Sequence, residues 1–353
     1  MIFPRFVLTG LLFLVALSGA LVAFRLGMPM PFMMGSLLTT ALAIALFPQG
    51  FPERYVFAPR LRTVMLAVIG VAIGAQMTPE IVARAPEMAL SLLGVLLFVP
   101  IAHGMNYVIL RRFAQYPPND ALFSASPGGF VESITLAEEY GADVKRVTIQ
   151  HFLRVILVIL IVPLALSIYL GHPIGVARGN VLALQFVPPV QIALIANVAL
   201  AGFLLARFLR IPAGMLTGPL FIAALIAGFG GPDLSVPTWF VALAQVVVGT
   251  ALGVRFQGLT RKQLVQSTWW CLITVIAMLA LAAVFANALH RISGLSFESV
   301  FISYAPGGLT EMGLIALSLS ANSAVVVFHH LLRIIATVLQ MTLYLRYRRN
   351  RRV

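Results

Sequence analysis

Long apolar runs separated by short polar breaks make up the chain. Ten runs reach or approach the length needed to cross about 30 Å of bilayer hydrocarbon. They lie at 6–24, 29–47, 61–76, 88–110, 147–170, 188–206, 212–229, 238–254, 267–289 and 324–345. Each predicts a transmembrane helix, and no linker is long enough to form a soluble domain. The first run has the look of a secretory leader, with Arg5, an apolar core and then Ser18-Gly19-Ala20. A leader would be cleaved, but this run has a counterpart later in the chain, so it is expected to be a permanent helix.

Composition agrees. The 353 residues are 60% hydrophobic and only 10% charged, where a soluble domain carries about 25% charged residues. So few charges cannot cover a water-facing surface, and the solvent must be lipid. The formal charge of +13 would suggest nucleic acid in a soluble protein; here it points to basic cytoplasmic loops. The basic residues fall in short loops and a tail at 346–352, with no recognition module, so direct nucleic-acid binding is not expected. The single cysteine, Cys271, excludes an intrachain disulfide framework and a cysteine-based metal cluster. It sits in an apolar run and reads as a small core residue.

The chain repeats itself. A shift of 179 residues lays Pro127-Gly128-Gly129 on Pro306-Gly307-Gly308, Glu132 on Glu311, His151 on His330 and Arg154 on Arg333. The same shift lays Gly70 and Gly74 on Gly249 and Gly253, and Arg111-Arg112 on His290-Arg291. A shift of 183 lays Pro29 and Gly35 on Pro212 and Gly218. This is a tandem duplication, with membrane repeats at roughly 1–175 and 185–350.

Whether the repeats are parallel or inverted depends on the segments at 121–142 and 300–321. The first holds Glu132, Glu138, Glu139 and Asp143, too polar for a lipid-facing span. If neither segment crosses, each repeat has five crossings and the halves are inverted. With the N-terminus inside, sixteen Lys and Arg then face the cytoplasm, among them Arg54, Arg210, Arg261, Lys262 and the arginines from Arg346 to Arg352. Four, Arg25, Arg84, Arg178 and Arg291, face out. If both segments cross, the split weakens to thirteen against seven. The positive-inside rule favours the first arrangement. The expected fold is an all-α polytopic membrane protein of two inverted-topology repeats. Each has five transmembrane helices and one re-entrant or broken PGG helix, and both termini are cytoplasmic.

The candidate chemistry sits at those breaks. Proline suits the first turn of a helix, glycines leave the backbone bare for close approach, and a helix N-terminus is a ready anion site. Pro127, Gly128, Gly129 and Glu132, with Pro306, Gly307, Gly308 and Glu311, are therefore candidate substrate-binding residues. The next helix of each repeat adds Gln150, His151 and Arg154, and His329, His330 and Arg333, at i, i+1 and i+4. An ionisable residue within a span is costly and needs a partner; Glu132 is the expected partner of Arg154, and Glu311 of Arg333. Such pairs could hold the re-entrant segment in place, or line a substrate or proton path with Glu132 or Glu311 as the proton carrier. Gly70, Gly74, Gly249 and Gly253 have small-xxx-small spacing and read as helix packing. His103, His172 and His290 read as incidental, and the adjacent His329 and His330 point apart and fit no two-ligand metal site.

Two copies of PGG-x-x-E, each followed by an H-x-x-R helix, resemble the membrane AbrB family over essentially the whole chain. The resemblance implies an integral bacterial inner-membrane protein with a role in regulation of gene expression. That family is distinct from the small soluble DNA-binding regulator of the same name. It also carries an ammonia monooxygenase label, but such chemistry needs a metal or cofactor. No His, Cys and carboxylate cluster with ligand spacing is present in the sequence, so neither an enzyme nor a cofactor is expected. The first functional expectation is a secondary-transporter-like permease for a small metabolite, with organic anions or a proton as partners besides the bilayer. The alternative is a membrane sensor or regulator that binds a ligand without net transport. The basic tail at 346–352 suits an anionic lipid surface, and a homo-oligomer is compatible with the chain.

Overall fold

The computed structural model describes residues 5–52, 55–83, 85–174, 187–209, 211, 213–258, 261–319 and 323–350. Arg54, Arg84, Arg178, Arg210, Pro212, Arg351 and Arg352 lie outside them, as do the side chains of Arg261, Lys262 and Arg349.

All ten apolar runs are helical. In the first half, α1 (Arg5–Arg25), α2 (Pro31–Leu46) and α3 (Pro59–Gly74) are followed by a short α4 (Pro79–Ala83) and a long α5 (Ala85–Val108). The end of α5 widens into a π-helical turn at Ile109–Phe113. A broken helix comes next, α6 (Pro118–Ser124) and α7 (Phe130–Glu139), and then α8 (Val144–Leu170). The second half runs in the same order: α9 (Pro189–Phe208), α10 (Gly214–Gly228), α11 (Thr238–Gly253), long α12 (Arg261–Ser293), broken α13 (Phe297–Tyr304) and α14 (Leu309–Ser318), and α15 (Ser323–Asn350). Among the described residues there are no strands.

Among the described residues seven helices are long and apolar enough to cross a membrane, α11 together with a 3-10 turn that extends it to Phe256. The 21 residues of α1 rise about 31 Å at about 1.5 Å each, matching the hydrocarbon core. The chain is thus a multi-pass membrane protein by length and composition. Three of the ten expected spans are shorter helices: α2 and α3 have 16 residues and α10 has 15. They are also among the more buried, so protein covers much of what lipid would otherwise touch.

The helices gather into two compact units. One comprises Met1–Arg84, Pro163–Leu259 and Gly313–Ala324; the other comprises Ala85–Val162, Thr260–Met312 and Val325–Val353. Each therefore draws on both halves of the duplication.

In the first unit the packing is repeated in kind. Helix α2 packs on α1 and α11, while α10 packs on α9 and α3. A Cβ on Gly70 would strike the Leu216 carbonyl, and one on Gly249 would strike the Met33 carbonyl. Met33 plus 183 is Leu216, so the two contacts are equivalent. Likewise Gly35 faces the Gly19 carbonyl, and Gly218 faces that of Gly202. Side-chain clusters follow the same plan, with Ala16, Ala20, Phe32, Ala242 and Val246 in one and Val71, Ile195, Val198, Ala223 and Leu234 in the other. Even an uncommon backbone conformation recurs, since Met30 and Ala213, 183 apart, both precede their helices with positive φ, 46° and 51°. The small-residue faces bring backbones together, as their spacing predicts.

If carbonyl contact fixes these helices, one added methyl is enough to disturb them. Gly70→Ala and Gly249→Ala should each destabilise the detergent-solubilised protein by about 1–3 kcal/mol, the usual cost of overpacking. Gly10→Ala, which meets open space, should not. Thermal denaturation followed by size-exclusion fluorescence measures this, and unchanged melting of both variants would refute the packing.

Candidate functional site

Both breaks lie in the second unit, with α14 counted in it only as far as Met312. The first ends α6 at Ser124 and restarts as α7 at Phe130, with Gly129 as N-cap at φ 64°. Residues 121–129 are all buried. A helix end leaves its last carbonyls without intrahelical partners, and in an apolar interior each such group is costly. Four side chains serve them here. Nε2 of His103 donates to the Leu122 carbonyl at 2.9 Å and Nε2 of His151 to that of Phe123 at 2.8 Å. Asn106 reaches the Ala125 carbonyl at 3.5 Å, and the Arg154 guanidinium donates to that of Ser126. Ser126 Oγ closes the turn with bonds to the Gly128 carbonyl, 3.1 Å, and Ser133 Oγ, 2.7 Å.

The second break repeats the scheme 179 residues on. His330 donates through Nε2 to the Ile302 carbonyl at 3.0 Å. Arg333 gives one terminal nitrogen to the carbonyls of Ala305 and Tyr304 and the other to that of Gly307, the last at 2.7 Å. Phe123 corresponds to Ile302, and Ser126 to Ala305. The H-x-x-R motif thus places an imidazole and a guanidinium, one turn apart, on the C-terminal carbonyls of the preceding broken helix.

This corrects the expected pairing in the first copy. Among the described residues no ion pair joins Glu132 to Arg154. The two glutamates instead lie at the third residue of α7 and α14, folded back over the glycines that open those helices. Glu132 Oε2 comes within 3.4 Å of where a Cβ on Gly129 would sit, and the Glu311 carboxylate crowds the same place on Gly308. That is the position of the reaching-back residue in a capping box, where a carboxylate also favours the positive end of the helix dipole. The anion place expected at each N-terminus therefore already holds a carboxylate of the chain itself.

The first broken helix doubles back. Asn119 at its start donates to the Tyr140 carbonyl at 2.8 Å, and Asp120 accepts the backbone N–H of Asp143 at 3.0 Å. Arg146 bonds Asp120 at 2.6 Å and lies 5.1 Å from the centre of the Tyr116 ring. Burial pushes the Tyr116 phenol above its ordinary pKa, with the Arg146 charge opposing. Leu122, Phe123, Ala137, Val147, Met341 and Leu345 fill the interior of this hairpin and its support.

The two motifs meet at α15. A Cβ on Gly128 would lie 3.2 Å from Thr337 Oγ1 and 3.5 Å from the Arg333 carbonyl. The guanidinium of that same Arg333 holds the second break, so one residue touches both. Arg154 and Arg333 are near enough for their charges to repel. Of the remaining expected site residues, Gln150 donates to Thr274 Oγ1 at 3.2 Å. His329 donates through Nδ1 to its own helix at Val325 and accepts from Ser91 at 2.7 Å through Nε2. Pro127 and Pro306 are buried in the turns.

Sequence reasoning missed His103, Asn106, Ser91, Thr274 and Tyr304. Tyr304 donates to the Ser91 carbonyl at 2.5 Å and packs edge-on against Phe98, which anchors α13. His103, taken as incidental, is 4% exposed and caps α6. Its counterpart in the repeat is Ala282, and that of Asn106 is Phe285, so the duplication could not reveal them. Their i, i+3 spacing, one face of α5, was the available signal. His172 and His290 are exposed, and the second bonds the Leu295 carbonyl. Among the described residues no three His, Cys, Asp or Glu side chains group as metal ligands would.

A family model described as transition state regulatory protein AbrB matches residues 41–349, which takes in both breaks. The chain is similar to a protein of Escherichia coli (strain K12) named "Putative regulator AbrB", 25% identical over 275 residues, covering 77% of this chain and 78% of that one. It is also similar to the uncharacterized protein YhjN of Bacillus subtilis (strain 168), 24% identical over 292 residues, covering 77% and 74%.

The two arginines carry unequal loads. Arg333→Met strips partners from three carbonyls and Arg154→Met from one. At about 1–3 kcal/mol for each buried group left unsatisfied, Arg333→Met should lower the melting temperature more. Equal or reversed losses in differential scanning fluorimetry would contradict the assignment.

Proposed function

The chain belongs to the AbrB family, and on that premise we propose that it is a secondary-transporter-like permease for a small metabolite, with small organic anions the first candidates. The observation that carries this reading is the repetition of a broken, buried helix whose carbonyls are gripped by a histidine and an arginine. Broken helices at membrane depth are tolerated where protein or a water-filled cavity surrounds them. Paired in two repeats, they are the build of many secondary transporters. Buried arginines at such breaks are, by their cost, functional groups first.

In this proposal the repeats at 1–175 and 185–350 are inverted, with ten crossings and two re-entrant segments. Both termini are cytoplasmic, in a bacterial inner membrane. The doubled-back first hairpin supports that topology. The candidate ligand groups are the two breaks and the helices that serve them, with Arg154 and Arg333 attracting an anion. Glu132 and Glu311 act on their own helix ends, so they are weaker candidates for proton carriage than the sequence alone suggested. No catalytic step is assigned to any residue.

A second reading is favoured by the name of the Escherichia coli relative. In it the same site senses a ligand without net transport, and effects on gene expression are indirect.

Proteoliposomes separate the two. Protein reconstituted with pyruvate, succinate, glutamate and phosphate as probes should take up at least one above the rate of empty vesicles. Arg154→Gln, if still monodisperse, should cut that uptake about tenfold or more. Background rates for all four, with binding retained, would sink transport in favour of sensing.

A further inference from the structure

The two breaks share their histidine and arginine but differ in what surrounds them. Beside the first, six buried polar atoms have no protein partner: Nδ1 of His103 and His151, Oδ1 of Asn106, Oε1 of Gln150, Oγ of Ser124 and Nε of Arg154. None of these side chains is more than 6% exposed. Beside the second break, among the described residues, Nδ1 of His330 and Nε of Arg333 are in that state. The equivalent of Gln150 is His329, bonded through both nitrogens, and the equivalent of Ser124 is Ser303, bonded to the Ser299 carbonyl at 2.7 Å. Among the described residues the first break leaves six such atoms and the second leaves two.

The chemistry of the open atoms follows from their neighbours. A carbonyl only accepts, so His103 and His151 each present N–H at Nε2, and the neutral rings hold a lone pair at Nδ1. Thr274 donates to the Cys271 carbonyl, so its oxygen must accept from Gln150, which leaves Gln150 Oε1 open. Asn106 likewise donates to a carbonyl and keeps Oδ1 open. Four open atoms are acceptors, Arg154 Nε–H is a donor, and the Ser124 hydroxyl serves either way. A bare cation would meet the Arg154 charge, and a bare anion would meet four lone pairs. A small weak acid satisfies both sides.

We propose that the first break binds a small carboxylic acid as its two parts, the proton on Nδ1 of His151 and the carboxylate on Nε–H of Arg154. The O–H bond of the acid breaks, its electron pair stays on the oxygen, and an N–H bond forms on the imidazole; nothing is oxidised or reduced. The groups facing His151 make the two events interdependent. Arg154 lies one turn along α8 and His103 on α5; Cys271 on α12 and Arg333 on α15 lie near Arg154. Asp120 on α6 is engaged by Arg146, and Glu132 on α7 lies over Gly129. A protonated His151 would place two cations side by side unless an anion came with it. An anion gains from a second cation. Linkage is reciprocal, so one proton accompanies each anion.

This deepens the permease reading by naming the coupling ion, its carrier and the substrate class, and it is testable without transport. The full chain in nanodiscs, labelled with 15N-histidine, is titrated with formate between pH 6 and 8. Formate affinity should fall about tenfold per unit rise in pH, as one co-bound proton requires, and formate at fixed pH should convert His151 Nδ1 from bare to protonated. His151→Gln keeps an amide N–H for the Phe123 carbonyl but has no basic nitrogen; it should lose the pH dependence, while His330→Gln should keep it. Absent formate binding, pH-independent binding, or a His151 Nδ1 that stays bare overturns the proposal, and the wild-type titration decides even where a variant misfolds. Proton-linked binding with no uptake in vesicles would instead sustain this site and defeat the permease reading.

Discussion

A helix that stops inside an apolar interior leaves carbonyls that water cannot reach, and the second unit of this protein is arranged around that constraint. Each break leaves several such groups. The following long helix brings a histidine and an arginine one turn apart, at the height where those carbonyls emerge. A neutral imidazole supplies one donor, and a guanidinium supplies several in a fixed fork. Arg333 uses that fork on three carbonyls, 304, 305 and 307. A lysine could not span them with the same geometry.

The opposite end of each break has the opposite need. Where α7 and α14 begin, free N–H groups carry partial positive charge, and Glu132 and Glu311 stand at the third position of those helices. Every break thus sets a cation against a negative helix end and an anion against a positive one. The motif PGG-x-x-E with H-x-x-R is a charge-matched interruption, and both of its arginines are directed to backbone carbonyls. The first copy adds His103 and Asn106 from α5 and yet keeps more open atoms than the second, where Ser91, His329 and Tyr304 bond one another. The two copies share a scaffold and differ in the side chains around it.

Much of this was legible in the sequence. Apolar runs gave the helices because a span needs a continuous apolar stretch, and the 179-residue shift gave the equivalence of the breaks. Small residues at Gly70, Gly74, Gly249 and Gly253 were read as packing, and their carbonyl contacts bear that out. The partners of the arginines were not legible. A carboxylate is the obvious mate for a buried cation, while a backbone carbonyl has no letter in the sequence. For the same reason His103 looked idle, since its partner is the carbonyl of Leu122 and its duplicate is an alanine. Helix length was read less closely: α2 is 16 residues where its apolar run is 19.

The central claim is that imidazole and guanidinium serve broken-helix carbonyls. It is tested most directly by a dipolar coupling between 15Nε2 of His151 and the carbonyl 13C of Phe123, measured by solid-state NMR in lipid bilayers. The account predicts a strong coupling, matching the 2.8 Å separation of that nitrogen from the carbonyl oxygen. A coupling too weak to detect, with Arg154 instead coupled to the Glu132 carboxylate, would contradict it.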